Sequence, residues 1–85
     1  MTTEQRIKEI LETARSNGGV IVTVSDTDRY RNVFLSGHIT STSKAMTDLL
    51  GISHGDVFYT VDKMDTYVLN EDTVKLTVLL QLRSR

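Results

Sequence analysis

The sequence predicts an α+β fold, a two-layer sandwich in which two helices cover one face of a mainly antiparallel four-stranded sheet. First, the stretch Thr73 to Arg83 alternates apolar with polar residues, which is the period of a half-buried strand. Second, two other stretches carry apolar residues at helical spacing. Third, the elements follow the order α-β-β-α-β-β, and their short connections favour antiparallel neighbours. A chain of 85 residues is expected to form one domain spanning residues 1–85.

The first predicted helix runs from Thr3 to Arg15. Its apolar residues recur at i, i+3, i+4 and i+7, so they form one stripe. Thr2 followed by Gln5 matches a capping box, in which the side chain of each residue bonds the backbone of the other. Asn-Gly-Gly at 17–19 ends the helix, because glycine accepts the left-handed conformation of a C-terminal cap. The stripe consists of Ile7, Ile10, Leu11 and Ala14.

Two strands follow, Val20 to Ser25 and Val33 to Ile39, separated by the polar loop Asp26 to Asn32. Both strands are rich in β-branched or large apolar residues, which suit a pleated surface. Gly37 falls on the apolar face of the second strand. A glycine at that position predicts either a bulge or the close approach of another backbone.

The hydroxyl cluster Thr40 to Ser43 is expected to supply the N-terminal cap of a second, short helix. Gly51 ends this helix, and Ile52 is the apolar residue that often packs back after such an end. Ser53 to Asp56 is expected to be a turn. The apolar stripe of the helix consists of Met46, Leu49 and Leu50.

The third predicted strand runs from Val57 to Met64, and extended structure resumes at Tyr67 to Leu69. A regular hairpin would place charged residues of the interruption Asp62 to Asp65 on the same face as Tyr59. We therefore expect a bulge there, in preference to a sheet that runs past the covering helices. In the last strand, the residues expected to be almost fully buried are Leu76 and Leu80.

Charge and composition narrow the function classes. Ten basic and eleven acidic residues give a net charge of −1, which argues against a dedicated nucleic-acid-binding protein, since these usually have a basic excess. A chain without cysteine forms no disulfide and no thiolate metal site. No apolar run approaches the ~20 residues that span a bilayer, and the chain does not open on a signal pattern. The default expectation is a cytoplasmic protein that contacts no membrane.

No metal site, cofactor or catalytic residue is expected. The two histidines, His38 on a strand and His54 in a turn, are not spaced so that three or four metal ligands converge. Asp26 opens a stretch that resembles a calcium loop, but its fifth and sixth positions are Tyr30 and Arg31. No nucleophile–base pair and no paired carboxylates stand out in the sequence.

A phosphate-binding site is an open alternative at the start of the second helix. The N-terminus of a helix offers free N–H groups and a partial positive charge. Hydroxyls and a lysine around that end could hold a phosphate, although capping is the simpler role for the hydroxyls. The residues of this phosphate cluster are His38, Thr40, Ser41, Thr42, Ser43 and Lys44.

Arg29, Tyr30 and Arg31 are predicted to lie at the tip of the first hairpin. Tyrosine and arginine are enriched at binding hot spots because they combine apolar area with hydrogen-bond donors. Asp26 and Asp28 could instead neutralise the arginines in an ordinary charged loop. Both interpretations stay open, and the first makes the loop a partner-binding site.

Several apolar residues fall on the face of the predicted sheet that is opposite the core. Isolated apolar residues need no explanation, but a group on one face forms a patch, and patches mark interfaces. The sequence therefore predicts self-association through the open sheet face or its edge, with a homodimer favoured. The residues are Ile21, Phe34, Phe58 and Leu79, with Val68 expected on the same side.

The leading functional hypothesis is a small non-enzymatic protein that binds and inhibits or modulates another protein. A compact domain with an exposed sheet face and a charged loop has the style of inhibitors that phages and mobile elements direct at host proteins, which is an analogy about style. The alternative is a protein that binds or sequesters a phosphorylated nucleotide between subunits. A third possibility is an enzyme whose site is completed across a dimer interface.

Overall fold

The computed structural model describes residues 2–16, 19–25 and 30–84, without the side chain of residue 54, and it confirms the predicted α+β fold class. Among these residues, two helices lie on one face of an antiparallel sheet whose long strands follow the predicted order. The helices are α1 (Thr3–Ser16) and α2 (Ile39–Leu50). The strands are β1 (Val20–Val24), β2 (Asn32–His38), β3 (Ser53–His54), β4 (Val57–Asn70) and β5 (Thr73–Ser84).

Helix α1 begins with the predicted capping box. The backbone N–H of Gln5 donates to Thr2 Oγ1 at 3.2 Å, and the N–H of Thr2 donates to Gln5 Oε1 at 2.9 Å. Residues 17 and 18 of the expected C-terminal cap lie outside the described part of the chain. Gly19 has a φ of +76°, the left-handed conformation that favours glycine. The predicted stripe is buried as expected and comprises Ile7, Ile10, Leu11 and Ala14.

The strands lie side by side in the order β1-β2-β5-β4-β3, and every neighbouring pair is antiparallel. Strand β5, the clearest strand in the sequence, therefore lies at the centre of the sheet. Leu76 is 3% exposed and Leu80 is 0% exposed, which confirms both predicted core positions. Full burial of a leucine stabilises the fold by ~1.5–3 kcal/mol, so β5 and the helices above it supply much of the core.

Strands β1 and β2 form a regular ladder in which Gly37 lies opposite Val20. A Cβ atom at Gly37 would overlap the backbone of Gly19. The close approach of another backbone therefore explains the glycine at this position. No bulge is present in this ladder.

Strand β2 passes directly into α2. The helix begins at Ile39, immediately before the hydroxyl cluster that was expected to cap it. The cap is instead His38, whose Nδ1 accepts the backbone N–H of Thr40 at 3.3 Å. The prediction of a hydroxyl cap is wrong because the strand ends one residue earlier than expected. A neutral imidazole can accept a hydrogen bond at this position as a hydroxyl would.

The C-terminal end of α2 differs from the prediction in one side chain. Leu49 is buried and Met46 is half-buried, but Leu50 is 39% exposed. Successive helical residues point about 100° apart, so Leu50 cannot share the buried direction of Leu49. Gly51 ends the helix with a right-handed φ of −75°, and Ile52 is buried behind it as predicted.

The segment Ser53 to Asp56 is more than the expected turn. Strand β3 pairs with Val57 and Phe58 of β4, and Gly55 takes a left-handed φ of +60° in the connection. The segment is therefore a small hairpin that adds a fifth strand to the sheet. Because β3 is so short, it covers the outer edge of β4 only at the first residues of that strand.

Strand β4 is continuous, and the predicted interruption is a bulge. The register shifts between Val61 and Lys63, so Asp62 has no partner on β5. A one-residue bulge reverses the alternation, which places Lys63 and Asp65 on the face opposite the helices. The bulge hypothesis is confirmed. The alternative, a sheet that runs past the covering helices, also holds in part, since every residue from Val61 to Asn70 is exposed.

The bulge also decides the face on which Val68 lies. Val68 is opposite Val74 of β5, and Val74 has the same parity as the buried Leu76. Val68 therefore lies on the helix side of the sheet, and the expectation that it joins the patch on the other side is wrong. A second register shift follows between Val68 and Asn70.

Candidate functional site

The open face is the side of the sheet opposite α1 and α2. Strand pairing places Phe34 of β2 directly opposite Leu79 of β5, and Lys63 of β4 lies opposite Leu79 on its other side. In the next row, Ile21 of β1 lies opposite Ser36 of β2. Phe34 is therefore the direct neighbour of Leu79 and a diagonal neighbour of Ile21 on one face, close enough for its side chain to interact with both.

The four predicted self-association residues differ in exposure and position. Ile21 is 64% exposed and Phe34 is 38% exposed, whereas Phe58 and Leu79 are half-buried. Phe58 lies opposite Arg83, which is four residues along β5 from Leu79, or about 13 Å. The structure thus brings three of the four residues together and places Phe58 at the margin of the group.

Sequence reasoning missed Tyr67, an exposed aromatic residue on the open face. Tyr67 lies opposite Lys75, and Lys75 lies opposite His38 on its other side. The signal that could have identified Tyr67 is the bulge, because Tyr67 reaches this face only after the alternation of β4 reverses at Asp62. A shallow apolar groove of about 240 Å³, lined in part by Ile21, adjoins this row.

The described part of the open face is basic. Among the residues of this face that pair with a neighbouring strand, Lys63, Lys75 and Arg83 are basic and Asp65 is acidic, and the unpaired Asp62 lies beside Lys63 in the bulge. The Nε–H of Arg83 donates to Thr60 Oγ1 at 3.3 Å, which fixes the guanidinium against the sheet. The whole chain has a net charge of −1, so its positive charge is unevenly distributed and surrounds the apolar group on this face.

The Arg29–Tyr30–Arg31 loop is built differently from a free recognition tip. Arg29 lies outside the described residues. Tyr30 has a φ of +52°, and its half-buried ring packs against the core. Its carbonyl oxygen accepts the Tyr59 hydroxyl at 2.5 Å, and the carbonyl of the exposed Arg31 accepts the backbone N–H of Leu82 at 2.7 Å. The ring of Tyr30 therefore serves the fold, which weakens the case for it as a binding hot spot.

Burial raises the pKa of Tyr59 well above its ordinary value, and the neighbouring Tyr30 raises it further. A raised pKa keeps the phenol protonated over a wider range of pH. The Tyr59 hydroxyl thus stays a donor to the carbonyl of Tyr30, and its role is to hold the end of the loop.

The residues of the predicted phosphate cluster are spread around the first turns of α2. The Nδ1 of His38 already accepts the N–H of Thr40, one of the donors that an anion would use. Thr42 is fully buried, and its hydroxyl has no hydrogen-bond partner among the described atoms. The Nζ of Lys44 donates to Asp48 at 3.3 Å, one turn away from the start of the helix. The two remaining residues, both half-buried, are Ser41 and Ser43.

Within residues 2–16, 19–25 and 30–84, no three His, Cys, Asp or Glu side chains are arranged to hold a metal ion. Neither of the helices in this part of the chain is long and apolar enough to cross a membrane. Comparisons with protein-family models, with curated proteins and with solved structures find no match to the chain. Its function must therefore be inferred from the geometry of its surfaces.

Proposed function

We propose that this is a non-enzymatic binding protein that binds another protein through the open face of its sheet and thereby inhibits or modulates it. The observation that supports the proposal is the apolar group on that face, which consists of the exposed Ile21 and Phe34 and the half-buried Leu79 on the neighbouring strands β1, β2 and β5. An apolar centre with a polar, charged rim is the usual anatomy of a protein–protein interface.

The apolar group can contribute substantially to binding. Complete burial of a side chain such as Phe34 or Ile21 is worth up to ~3 kcal/mol, in proportion to the area that is still exposed. Both residues lie on paired strands, so their backbone is ordered before binding and little conformational entropy is lost on association. Tyr67 adds an exposed ring and a hydroxyl at the rim, and tyrosine is among the residues that dominate binding energies.

The charge of the open face indicates the chemistry of the partner. Because Lys63, Lys75 and Arg83 outnumber Asp65, we expect a partner with an apolar protrusion surrounded by acidic groups. Two copies packed face to face about a two-fold axis would instead bring two basic rims together. This charge distribution favours a different protein over the face-to-face homodimer that the sequence suggests.

The alternative of a phosphorylated nucleotide at the start of α2 has weaker support. An anion there would compete with His38 for the N–H of Thr40, and it would have to draw Lys44 away from Asp48. We therefore propose protein binding as the single function.

Two variants matched in exposure test the proposal. Phe34→Ser changes an open-face side chain that is 38% exposed, and Leu50→Ser changes a side chain on the helix side that is 39% exposed. Each immobilised protein is incubated with nuclease-treated cell extract, and the retained proteins are identified by mass spectrometry. The wild type and Leu50→Ser should retain the same protein, whereas Phe34→Ser should lose it because the apolar centre is removed.

A charge variant tests the expected chemistry of that partner. Lys75→Glu should weaken binding of the purified partner in calorimetry, and added salt should weaken binding of the wild type, because salt screens rim charges. Circular dichroism must show that each variant is folded. The proposal fails if Phe34→Ser binds as tightly as the wild type.

A further inference from the structure

The outer edge of β4 is open over most of its length. Strand β3 pairs only with Val57 and Phe58, and no other described strand lies on this side of β4. The side chains from Val61 to Asn70 are exposed, and Met64 is 55% exposed. A long open edge presents backbone donors and acceptors that can pair with a further strand.

We propose that a second copy of the chain occupies this edge, so that the β4 strands of two copies pair antiparallel and their sheets become continuous. A symmetric pair of this kind has its two-fold axis perpendicular to the sheet. One residue then lies opposite itself, and residues equally distant from it on either side lie opposite each other. Each possible register is therefore defined by its central residue.

Charge selects one register. With Met64 at the centre, Lys63 of each copy lies opposite Asp65 of the other copy, and both side chains point to the open face. A register centred on Lys63 or on Asp65 would place that charge directly against itself, which is destabilising. A register centred on Thr66 would leave both charges opposite uncharged residues.

The limits of the open edge fit the same register. In the pairing centred on Met64, the bulge at Asp62 of each copy shifts the register by one residue, because residues that lie opposite each other point to the same face. Thr60 therefore lies opposite Tyr67 on the open face. Thr60 lies just beyond Phe58, the last residue that β3 covers, and the second register shift of β4 begins after Val68. A shared ladder from Thr60 to Tyr67 therefore fits between these two limits without displacing β3.

The side chains along this edge favour pairing with an identical strand over pairing with an unrelated strand. The bulge at Asp62 and the charges of Lys63 and Asp65 discourage pairing with an arbitrary strand. A second copy satisfies both charges, whereas a strand without the complementary pair does not. On the helix side, Met64 meets the same residue of the other copy, and the flexible thioether adapts readily to such a contact.

Single-cysteine variants test the register directly, because the natural chain contains no cysteine. Met64→Cys places the two introduced residues opposite each other, with Cα atoms about 4.5–5.5 Å apart, which allows a disulfide. Mild oxidation should convert most of this variant to a covalent dimer on a non-reducing gel. In the matched control Thr66→Cys, the two thiols would be about 13 Å apart along the strands and should stay unlinked.

Charge exchange tests the proposed ion pairs. Lys63→Asp and Asp65→Lys, made singly, should each raise the dimer dissociation constant about tenfold or more, because each creates two like-charge contacts. The double variant restores both pairs and should dimerise like the wild type. Sedimentation over a concentration series measures the dimer, and circular dichroism checks the fold. Phe34→Ser, changed on the open face, should dimerise normally.

Three results would overturn the proposal. The first is a wild type that stays monomeric over the whole concentration series. The second is disulfide formation by Thr66→Cys that is as efficient as that of Met64→Cys, which would indicate another register or random collision. The third is a double charge variant that does not recover the dimer.

Discussion

At the residue scale, the side-chain contact with the clearest consequence for stability is the hydrogen bond from the Tyr59 hydroxyl to the carbonyl of Tyr30. Tyr30 has a positive φ, which is uncommon for a bulky residue and is maintained only where its surroundings support it. The buried Tyr59 provides that support from β4. Tyr30 is therefore held to the core by a contact with a residue that is distant in sequence.

Removal of the Tyr59 hydroxyl should destabilise the protein in a pH-dependent way. We expect Tyr59→Phe to lower the free energy of unfolding by ~1–3 kcal/mol at neutral pH, because the carbonyl of Tyr30 loses its donor. Burial raises the pKa of Tyr59 above its ordinary value of about 10, so the folded protein keeps a proton that the unfolded chain loses. This stabilisation is present below about pH 10 and is lost as the pH rises further.

Urea unfolding at pH 7 and at pH values above 10 checks this prediction. The free energies of unfolding of the wild type and of Tyr59→Phe should converge at the higher pH. Tyr67→Phe, which changes an exposed side chain, is the control and should have the stability of the wild type at pH 7. A difference between Tyr59→Phe and the wild type that does not change with pH would contradict the prediction.

At the residue scale, the sequence predicts what depends on local spacing. The capping box of α1 and the burial of Leu76 and Leu80 follow from residues a few positions apart, and the structure confirms them. The burial of Tyr30 against the core was not predictable in this way, since its partner Tyr59 is 29 residues away. The role of His38 as a cap was missed because it depends on where β2 ends.

At the scale of elements, the sequence pattern of β4 predicts the bulge but not the change of face that the bulge causes in the residues after it. The charges at Lys63 and Asp65 conflict with a regular strand, and this conflict predicts the bulge. The side chains from Lys63 to Val68 change face at the bulge, and for this reason the sequence pattern places Val68 on the wrong side and does not identify Tyr67 as an open-face residue. The sequence predicts a turn in place of β3 because two residues are too few to show an alternation.

The pairing of β1 with β2 depends on the absence of a side chain at Gly37. We expect Gly37→Ala to lower the free energy of unfolding by ~1–3 kcal/mol or more, because the new Cβ would overlap the backbone of Gly19 and push the strands apart. Thermal and urea unfolding measure the loss.

Gly51→Ala is the matched control for this prediction. Gly51 has a right-handed φ of −75°, and a Cβ there would lie 3.4 Å from the carbonyl oxygen of Asp48. Alanine at this position should leave stability unchanged or slightly raised, since it reduces the entropy of the unfolded chain. Equal stability of Gly37→Ala and the wild type would show that β1 can move without cost.

At the scale of the whole molecule, the described chain is elongated, with extents of 42 × 24 × 20 Å. The part of β4 beyond the bulge has exposed side chains on both faces, whereas β5 contributes its middle residues to the core. The sequence predicts the two layers, but it gives this partial cover only as the less favoured alternative to the bulge, because alternation marks only the apolar face of a strand. Where the helices lie on that face depends on tertiary packing.

The open face and the β4 edge are compatible with each other. A two-fold axis perpendicular to the sheet keeps the open faces of both copies on the same side of a dimer. Such a dimer would present the apolar groups of both copies, each containing Phe34, on one side. A partner with two binding sites would bind both groups at a high effective concentration. Partner affinity would then depend on the edge residues Lys63 and Asp65, although neither needs to lie at the centre of the partner contact.

The uneven cover of the sheet should be visible in amide hydrogen exchange. The amides of Val78 to Leu80 lie in β5 between β2 and β4, next to the most deeply buried side chains, and should exchange only through global unfolding. The hairpin end from Thr66 to Thr73 has few buried apolar contacts and should exchange faster through local opening. Exchange measured by NMR at low protein concentration, with the free energy from urea unfolding as the reference, checks the gradient. Equal protection along the whole hairpin would show that its far end is as stable as the core.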